Sequence, residues 1–222
     1  MAERTEDAIL IEEIDDELRQ DQANKLWQNY GKYVITSCIA IVLSVGIYQA
    51  WNSYDIKSRQ NAGELFANAI TLAADNKTED SFRVLSDIIN NGTDGYKTLA
   101  RFSQARLMAQ KNDTSGAVIT YSTLAEDTSI DQLYRDLAVI LSALIEINLP
   151  NTDMEKLKLK LSKLSEKNNP LRFSAKEISA FIDQKSGLKS NAMKLFKDLE
   201  KDSLAPKGIR SRASELVSVI SK

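Results

Sequence analysis

The sequence contains no histidine, and its one cysteine is Cys38. Histidine is the usual proton shuttle near neutral pH and the commonest metal ligand, while zinc sites and thiol chemistry need clustered Cys or His. Serine triads, thiol proteases, structural zinc sites and haem binding would all lack their usual residues. The 31 acidic residues are scattered as on solvated helix faces. We therefore expect no enzyme activity and assign no catalytic, cofactor-binding or metal-binding residue.

Proline and glycine are also scarce, with three and eight residues in a chain of 222. β-rich folds need many turns built on these residues, and their strands are enriched in β-branched and aromatic side chains. An all-α fold is therefore predicted. The hydrophobic and charged contents of 43% and 27% are typical of globular proteins, and the length favours one sizeable domain plus extra segments.

The formal net charge of −2 hides an uneven distribution along the chain. Residues 1–24 hold nine acidic residues against Arg4 and Arg19, whereas residues 152–222 hold sixteen Lys or Arg against nine acids. A basic terminal third could meet an acidic partner or nucleic acid. No aromatic platform or nucleic-acid motif accompanies these lysines, so the simpler interpretation is a set of solvated helix faces.

A charge-free run, VITSCIAIVLSVGIYQAW, occupies residues 34–51. At 1.5 Å per residue a helix of this length covers about 27 Å, close to the hydrocarbon thickness of a bilayer. Trp27 and Tyr33 precede the run and Trp51 and Tyr54 close it, as expected for aromatics at the two interfaces. A buried core helix, a cleaved signal peptide and an organelle-targeting sequence are the alternatives. The acidic start disfavours the last two, and a transmembrane helix over residues 33–54 is predicted.

The flanks of this segment give a weak indication of orientation. Arg19, Lys25 and Lys32 lie before it, and Lys57 and Arg59 lie after it, which slightly favours a cytoplasmic N-terminus under the positive-inside rule. Residues 1–32 are predicted to be an acidic cytoplasmic tail, with an amphipathic helix over residues 6–29 that either binds a partner or is simply solvated. Residues 55–222 are predicted to form the soluble domain.

One spacing recurs in that domain: a small or apolar residue, a large residue four positions later, and another large residue three positions after that. The copies are Ser81, Leu85 and Ile88; Ala117, Tyr121 and Leu124; Leu157, Leu161 and Leu164; and Ala192, Phe196 and Leu199. Their central residues are 36, 40 and 35 residues apart, a period that belongs to a pair of helices. We expect Leu85, Tyr121, Leu161 and Phe196 to be largely buried between helices, with Ala117 and Ala192 at close helix contacts.

The other helix of each pair is predicted to lie between these copies, over residues 96–110, 131–148, 170–184 and 206–220, after an opening helix at residues 55–74 that continues out of the membrane. Helix breaks are indicated by NNGTDG at residues 90–95, NLPN at residues 148–151 and NNP at residues 168–170. Residues 137–149 are apolar almost all round and too short to span a bilayer. They are predicted to form the central buried helix of the stack.

A small residue followed four positions on by an aromatic, in a period near 34 residues, resembles the tetratricopeptide repeat. The tail ending DDELRQDQANKLWQNYGKYV, the single span, and the final AMKLFKDLEKDSLAPKGIRSRASEL resemble an α-proteobacterial member of the tetratricopeptide-like family of ancillary SecYEG translocon subunits. This resemblance implies a periplasmic α-solenoid of about four degenerate helical hairpins on a single-pass inner-membrane anchor. No repeat carries the full tetratricopeptide consensus, so no ligand groove is transferred.

The expected function is a membrane-anchored scaffold or chaperone-like adaptor at the Sec translocon. Its expected partners are translocon components, periplasmic chaperones or exported polypeptides, with no nucleic acid, cofactor or small-molecule substrate. The alternative is a repeat protein that coordinates cell-envelope assembly or cell division. Asn76, Asn91 and Asn112 begin glycosylation acceptor patterns, but each lies near a predicted helix boundary, where Asn is expected as a cap or turn residue.

Overall fold

The computed structural model describes the backbone of residues 3–221 and the side chains of residue 22 and of residues 24–221. It divides into two units, the first reaching to Ser58 and the second beginning at Arg59. Nine α-helices and no strand lie within this described part of the chain. They are α1 (Glu3–Ala74), α2 (Thr78–Asn91), α3 (Asp94–Gln110), α4 (Thr114–Glu126), α5 (Gln132–Glu146), α6 (Met154–Leu164), α7 (Arg172–Lys185), α8 (Lys189–Lys201) and α9 (Lys207–Ile220).

The first unit consists of the greater part of α1. No proline interrupts residues 3–74, so the predicted tail helix, the predicted span and the opening helix follow one another in one continuous helix. The amphipathic face predicted for residues 6–29 falls largely on side chains outside the described ones. From residue 24 onward α1 is long and apolar enough to cross a membrane by length and composition.

The second unit stacks four helical hairpins and a terminal helix. The end of α1 pairs with α2, and the pairs α3 with α4, α5 with α6 and α7 with α8 follow before α9. Each described apolar cluster is centred on the second helix of a pair and includes the first helix of that pair and of the next pair. A hairpin therefore buries its apolar face only when the next hairpin covers it, as in solenoid repeats.

The repeat alignment is confirmed at every core position. The four predicted large residues are buried, Leu85, Leu161 and Phe196 with no exposed surface and Tyr121 at 4%, and the other residues of the four copies are buried as well. Ala117 and Ala192 are fully enclosed at helix contacts. Ser81, at the same small position, donates a hydrogen bond of 2.7 Å from its hydroxyl to the Ala69 carbonyl of the preceding helix. These contacts explain why a small residue belongs there.

The turns inside the hairpins depend on residues with left-handed backbone. Asn76, Asn112 and Gly187 have φ of 62°, 65° and 79° in three turns of three residues each. Asparagine and glycine tolerate this region best, which accounts for the two asparagines that begin acceptor patterns there. The third hairpin differs, because its turn runs from residue 147 to residue 153 and bends at Asn151 instead.

The predicted helix breaks are also confirmed. The α2–α3, α5–α6 and α6–α7 connections fall within or beside the NNGTDG, NLPN and NNP sequences. Aspartate side chains begin three of the helices by accepting backbone N–H bonds. Asp113 accepts from Gly116 at 2.9 Å, Asp131 from Leu133 at 2.8 Å, and Asp153 from Lys156 at 2.9 Å.

The prediction that residues 137–149 form a fully buried helix is wrong in one respect. Ala138, Ile140 and Ala143 are buried in α5 as expected, but Leu144 keeps 46% of its surface exposed. The helix lies between α4, α6 and α7, and these three neighbours do not surround it completely. The apolar side chain of Leu144 is therefore left facing solvent.

Candidate protein-binding surface

The first helices of successive pairs approach one another in the second half of the stack. α5 packs against α7 and α7 against α9, whereas no comparable contact joins successive second helices in the described residues. Helices on the inner side of a curved stack come closer together than those on the outer side. In this half of the stack α5, α7 and α9 therefore form the inner face, which is the surface that helical-repeat proteins generally use for binding.

A groove of about 570 Å³ runs along this face between α5 and α7. Its apolar lining consists of Leu144, Ile147, Ile178 and Phe181, and Asn148, Gln184 and Lys185 supply its polar groups. Apolar walls with a few amide and ammonium groups suit an extended polypeptide, whose side chains need burial and whose backbone needs hydrogen-bond partners. We call this site the inner groove.

Polar contacts between the helices hold the inner groove in shape. Lys185, the last residue of α7, donates from Nζ to the carbonyl of Ile147 at the end of α5. A lysine at this place satisfies a carbonyl that has no partner within its own helix. The ends of α5 and α7 are thereby fixed side by side, and the groove lies along them.

A paired charge joins α7 to α9 on the same face. Arg212 binds both carboxylate oxygens of Glu177 at 2.8 Å, and this carboxylate raises the pKa of the guanidinium further. Glu177 is 7% exposed. A bidentate pair at a largely buried carboxylate sets both distance and orientation, so this contact fixes the register of the last helices.

The other buried carboxylates are likewise engaged in packing contacts. Asp136 accepts from Gln132 at 2.6 Å and from Asn169 at 2.7 Å, which ties the start of α5 to the segment before α7. Asp183 pairs with Lys158 across α6 and α7. No group of three or more residues of metal-ligating type occurs in the part of the chain that the structure describes. The sequence analysis named no site residue of these kinds, and the buried carboxylates serve as links between helices.

The apolar segment of α1 presents its side chains outward. Ile39, Val42 and Ile47 are each more than half exposed, as are Tyr30 and Trp51 near its two ends. Its hydroxyl groups are satisfied within the helix, since Thr36 donates to the Lys32 carbonyl at 2.7 Å and Ser44 to the Ala40 carbonyl at 2.8 Å. Such bonds lower the cost of placing a hydroxyl in an apolar environment.

Stacked helix pairs with an apolar groove on their inner face define a helical-repeat protein of the kind that binds other proteins, and α1 adds a candidate membrane span. The sequence profile of the tetratricopeptide repeat-like domain matches residues 24–172. Because this match covers more than half of the chain, the protein belongs to the tetratricopeptide repeat-like family. Domains of this family are generally interaction modules without catalytic activity. No curated protein and no solved structure matches the chain with significance.

The sequence predicts the repeats but not which face binds a partner, and the inner groove was therefore not predicted. The available signal was the composition of residues 137–149, which are more apolar than one core-facing helix requires. We interpreted that excess as burial on every side. Part of it instead supplies Leu144 and Ile147 to the groove.

Proposed function

We propose that the protein is a scaffold anchored in the bacterial inner membrane by residues 34–51, with its tail in the cytoplasm and its repeat domain in the periplasm. In this proposal it is an ancillary subunit of the Sec translocon, a chaperone-like adaptor that receives exported polypeptides or holds other periplasmic factors. The observation that carries the proposal is the inner groove, which is lined by apolar side chains and by amide and ammonium groups suited to peptide backbone. The family resemblance supplies the translocon as the partner.

The energetics of the inner groove agree with a transient client rather than a permanent subunit. A few apolar side chains bury little area, so each contact is weak. A repeat domain attached to a membrane helix meets chains that leave a membrane channel at a high local concentration, and weak binding then becomes effective. Broad, low-affinity recognition of extended polypeptide is expected.

Membrane anchoring and topology can be tested before any partner is known. The full-length protein should resist alkaline carbonate extraction. In a Cys38→Ala background, a cysteine introduced by Ser115→Cys should react with a membrane-impermeant thiol reagent once the outer membrane is permeabilised, while one introduced by Thr5→Cys should stay unlabelled. Release by carbonate would refute the anchor, and the reverse labelling pattern would refute the periplasmic assignment.

The partner is tested by site-specific crosslinking in cells. A photo-crosslinker at Gln184, on the inner groove, should capture translocon components or exported proteins. Leu144→Ser should lower the yield several-fold, since it removes an apolar side chain from the groove wall, whereas the matched change Ile119→Ser on α4, at a site 66% exposed, should leave the yield unchanged. Capture of cell-division or peptidoglycan-synthesis proteins alone would replace the translocon proposal with the envelope-assembly alternative.

A further inference from the structure

A second groove, distinct in position and charge from the inner groove, lies between α5 and α6. It has a volume of about 500 Å³, and its lining includes Arg135 on α5 and Lys156, Leu159, Lys160 and Lys163 on α6. The three lysines and Leu159 are all exposed on α6, whereas Leu157, Leu161 and Leu164 face the core. We call this site the basic groove.

The positive charge of the basic groove is only partly neutralised. Lys160 lies 3.7 Å from Glu146, and Asp136, the acid that lines the groove, accepts from Gln132 and Asn169 with its two oxygens. Neither Lys156 nor Lys163 has an acidic partner within 4.0 Å in the described part of the chain. An excess of cations in a cleft with apolar walls concentrates the local field and attracts a partner of opposite charge.

One donor at this site lies below the surface. The Nε of Arg135 is buried and has no hydrogen-bond partner, although its NH2 group bonds to Gln132. An unpaired buried donor costs free energy, but Nε has almost no accessible surface, so a carboxylate in the cleft meets the part of the Arg135 guanidinium that lines it. A planar guanidinium suits a carboxylate particularly well.

The groove is apolar between its charges. Leu159 is 68% exposed, and Val139, Ala125 and Leu164 line the wall beside it. No aromatic side chain that could stack with a base is among the residues that line this cleft, so nucleic acid fits poorly. A flat bilayer surface would not enter a cleft between two helices. A side chain from a polypeptide can enter, and an apolar residue next to it would cover Leu159.

We propose that the basic groove is a docking site for an acidic polypeptide segment in which an apolar side chain stands next to Asp or Glu residues. Carboxylates meet Arg135, Lys156 and Lys163, and the apolar side chain packs on Leu159. This surface lies on the α5–α6 side and uses none of the residues that line the inner groove. Its partner is therefore recognised independently of the client proposed above.

The probe is a short fluorescent peptide that repeats Glu-Glu-Leu, titrated into full-length protein in a neutral detergent and followed by anisotropy. Saturable binding that weakens as salt is added is expected. Two related peptides, one repeating Glu-Glu-Ser and one repeating Lys-Lys-Leu, should bind at least several-fold more weakly. Equal binding of the three peptides would overturn the proposal, as would preferential binding of single-stranded RNA or anionic vesicles at this groove.

Matched charge reversals locate the site. Lys156→Glu with Lys163→Glu should weaken binding of the Glu-Glu-Leu peptide at least about tenfold, since two attractions become repulsions. The control is Lys194→Glu with Lys201→Glu, which makes the same charge change at the same spacing on exposed positions of α8, and it should change binding less than about twofold. An equal loss in both variants would mean attraction by overall charge and would refute a specific site.

A third variant separates the apolar contact from the charges. Leu159→Ser should weaken binding of the Glu-Glu-Leu peptide and leave the residual binding of the Glu-Glu-Ser peptide unchanged. Because Leu159 is exposed, helix content and thermal unfolding should stay as in the parent protein. If Leu159→Ser affects both peptides equally, or neither, the apolar part of the proposal is refuted. None of these variants changes the inner groove, so its crosslinking result remains an independent measurement.

Discussion

Replacing Phe196 by alanine tests the repeat packing most directly. The ring is fully buried in the cluster formed by α7, α8 and α9, and it packs edge-on against Phe181 with the ring centroids 5.4 Å apart. Truncating a buried Phe to Ala typically costs about 3–5 kcal/mol from lost transfer free energy and the cavity that remains. Loss of the aromatic pair contributes about 0.5–1.5 kcal/mol of interaction beyond buried area. We expect a loss in the upper half of the first range.

The assay is denaturant unfolding of the full-length protein in detergent, followed by circular dichroism, with Phe196→Ala compared with the parent. Leu204→Ala is the matched control, because Leu204 is 72% exposed and its truncation should cost less than about 0.5 kcal/mol. The terminal hairpin has a neighbour on one side and the single helix α9 on the other, so unfolding of α8 and α9 should precede that of the earlier hairpins. A cost for Phe196→Ala below about 1 kcal/mol would refute the assignment of this residue to a packed core.

Four further measurements test separate parts of the structure. Ala117→Leu should destabilise by about 1–3 kcal/mol, because Ala117 is fully enclosed and a larger side chain overpacks the α3–α4 contact; unchanged thermal unfolding would contradict this. Burial raises the pKa of Tyr121 above its ordinary value of 10.0. The contribution of Tyr121 to stability is therefore present below that value and is lost as the pH rises through the folded pKa. Tyr121→Phe should remove this loss of stability at alkaline pH, and the same dependence of unfolding free energy on pH in both proteins would contradict it. Hydrogen bonds from Ser129, and then the ion pair with Arg101, lower the pKa of Asp127. The contribution of Asp127 to stability is therefore present above the ordinary aspartate pKa and is lost as the pH falls through the folded pKa. Ser129→Ala should raise the pKa of this carboxyl group, measured by NMR, and an unchanged pKa would refute the hydrogen bond. Backbone amides of α6 should exchange with solvent faster than those of α4 and α8, because the α5–α6 packing is less extensive; equal protection in the three helices would contradict this reasoning.

The core was predictable from the sequence because its periodicity has a direct physical cause. The second helix of each pair is enclosed by first helices on both sides, so it needs large side chains along one stripe. Where it crosses a neighbouring helix closely, it needs a small residue one turn away. Leu85, Tyr121, Leu161 and Phe196 satisfy this requirement, and the separation of about one helix pair between them reveals the repeat. The hairpin turns could be placed for the same kind of reason, because left-handed backbone selects Asn or Gly.

A second repeat signal, in the first helices, was missed. Two fully buried alanines five residues apart recur in α3, α5 and α7, as Ala100 and Ala105, Ala138 and Ala143, and Ala175 and Ala180. They let each first helix contact the second helix on either side of it. Alanine is also the best helix former and is common on exposed faces. A pair of alanines therefore carries no information until its copies are aligned.

The proposed binding surfaces could not be predicted, because hydrophobic periodicity indicates which residues are buried and not which exposed residues bind a partner. The contact between Asp136 and Asn169 joins residues 33 positions apart, and that between Glu177 and Arg212 joins residues 35 apart. Nothing local distinguishes Glu177 from a solvated glutamate. Likewise, nothing in the local sequence distinguishes Lys156 and Lys163 from other exposed lysines, because only the folded structure brings Arg135 of α5 into the same groove.

The third hairpin contributes helices to both proposed binding surfaces, and it departs from the other hairpins in two ways. The small position of the repeat holds Ser81, Ala117 and Ala192 in the other hairpins but Leu157 in this one, and a leucine side chain keeps α6 further from α5 than an alanine would. The turn before it is also longer, with seven residues in place of three. The packing of α5 against α6 is correspondingly less extensive than that within the neighbouring hairpins. Less extensive packing leaves more of the sides of both helices exposed, which is consistent with the exposure of Leu144 on α5 and of Leu159 on α6, the apolar side chains that the inner groove and the basic groove use.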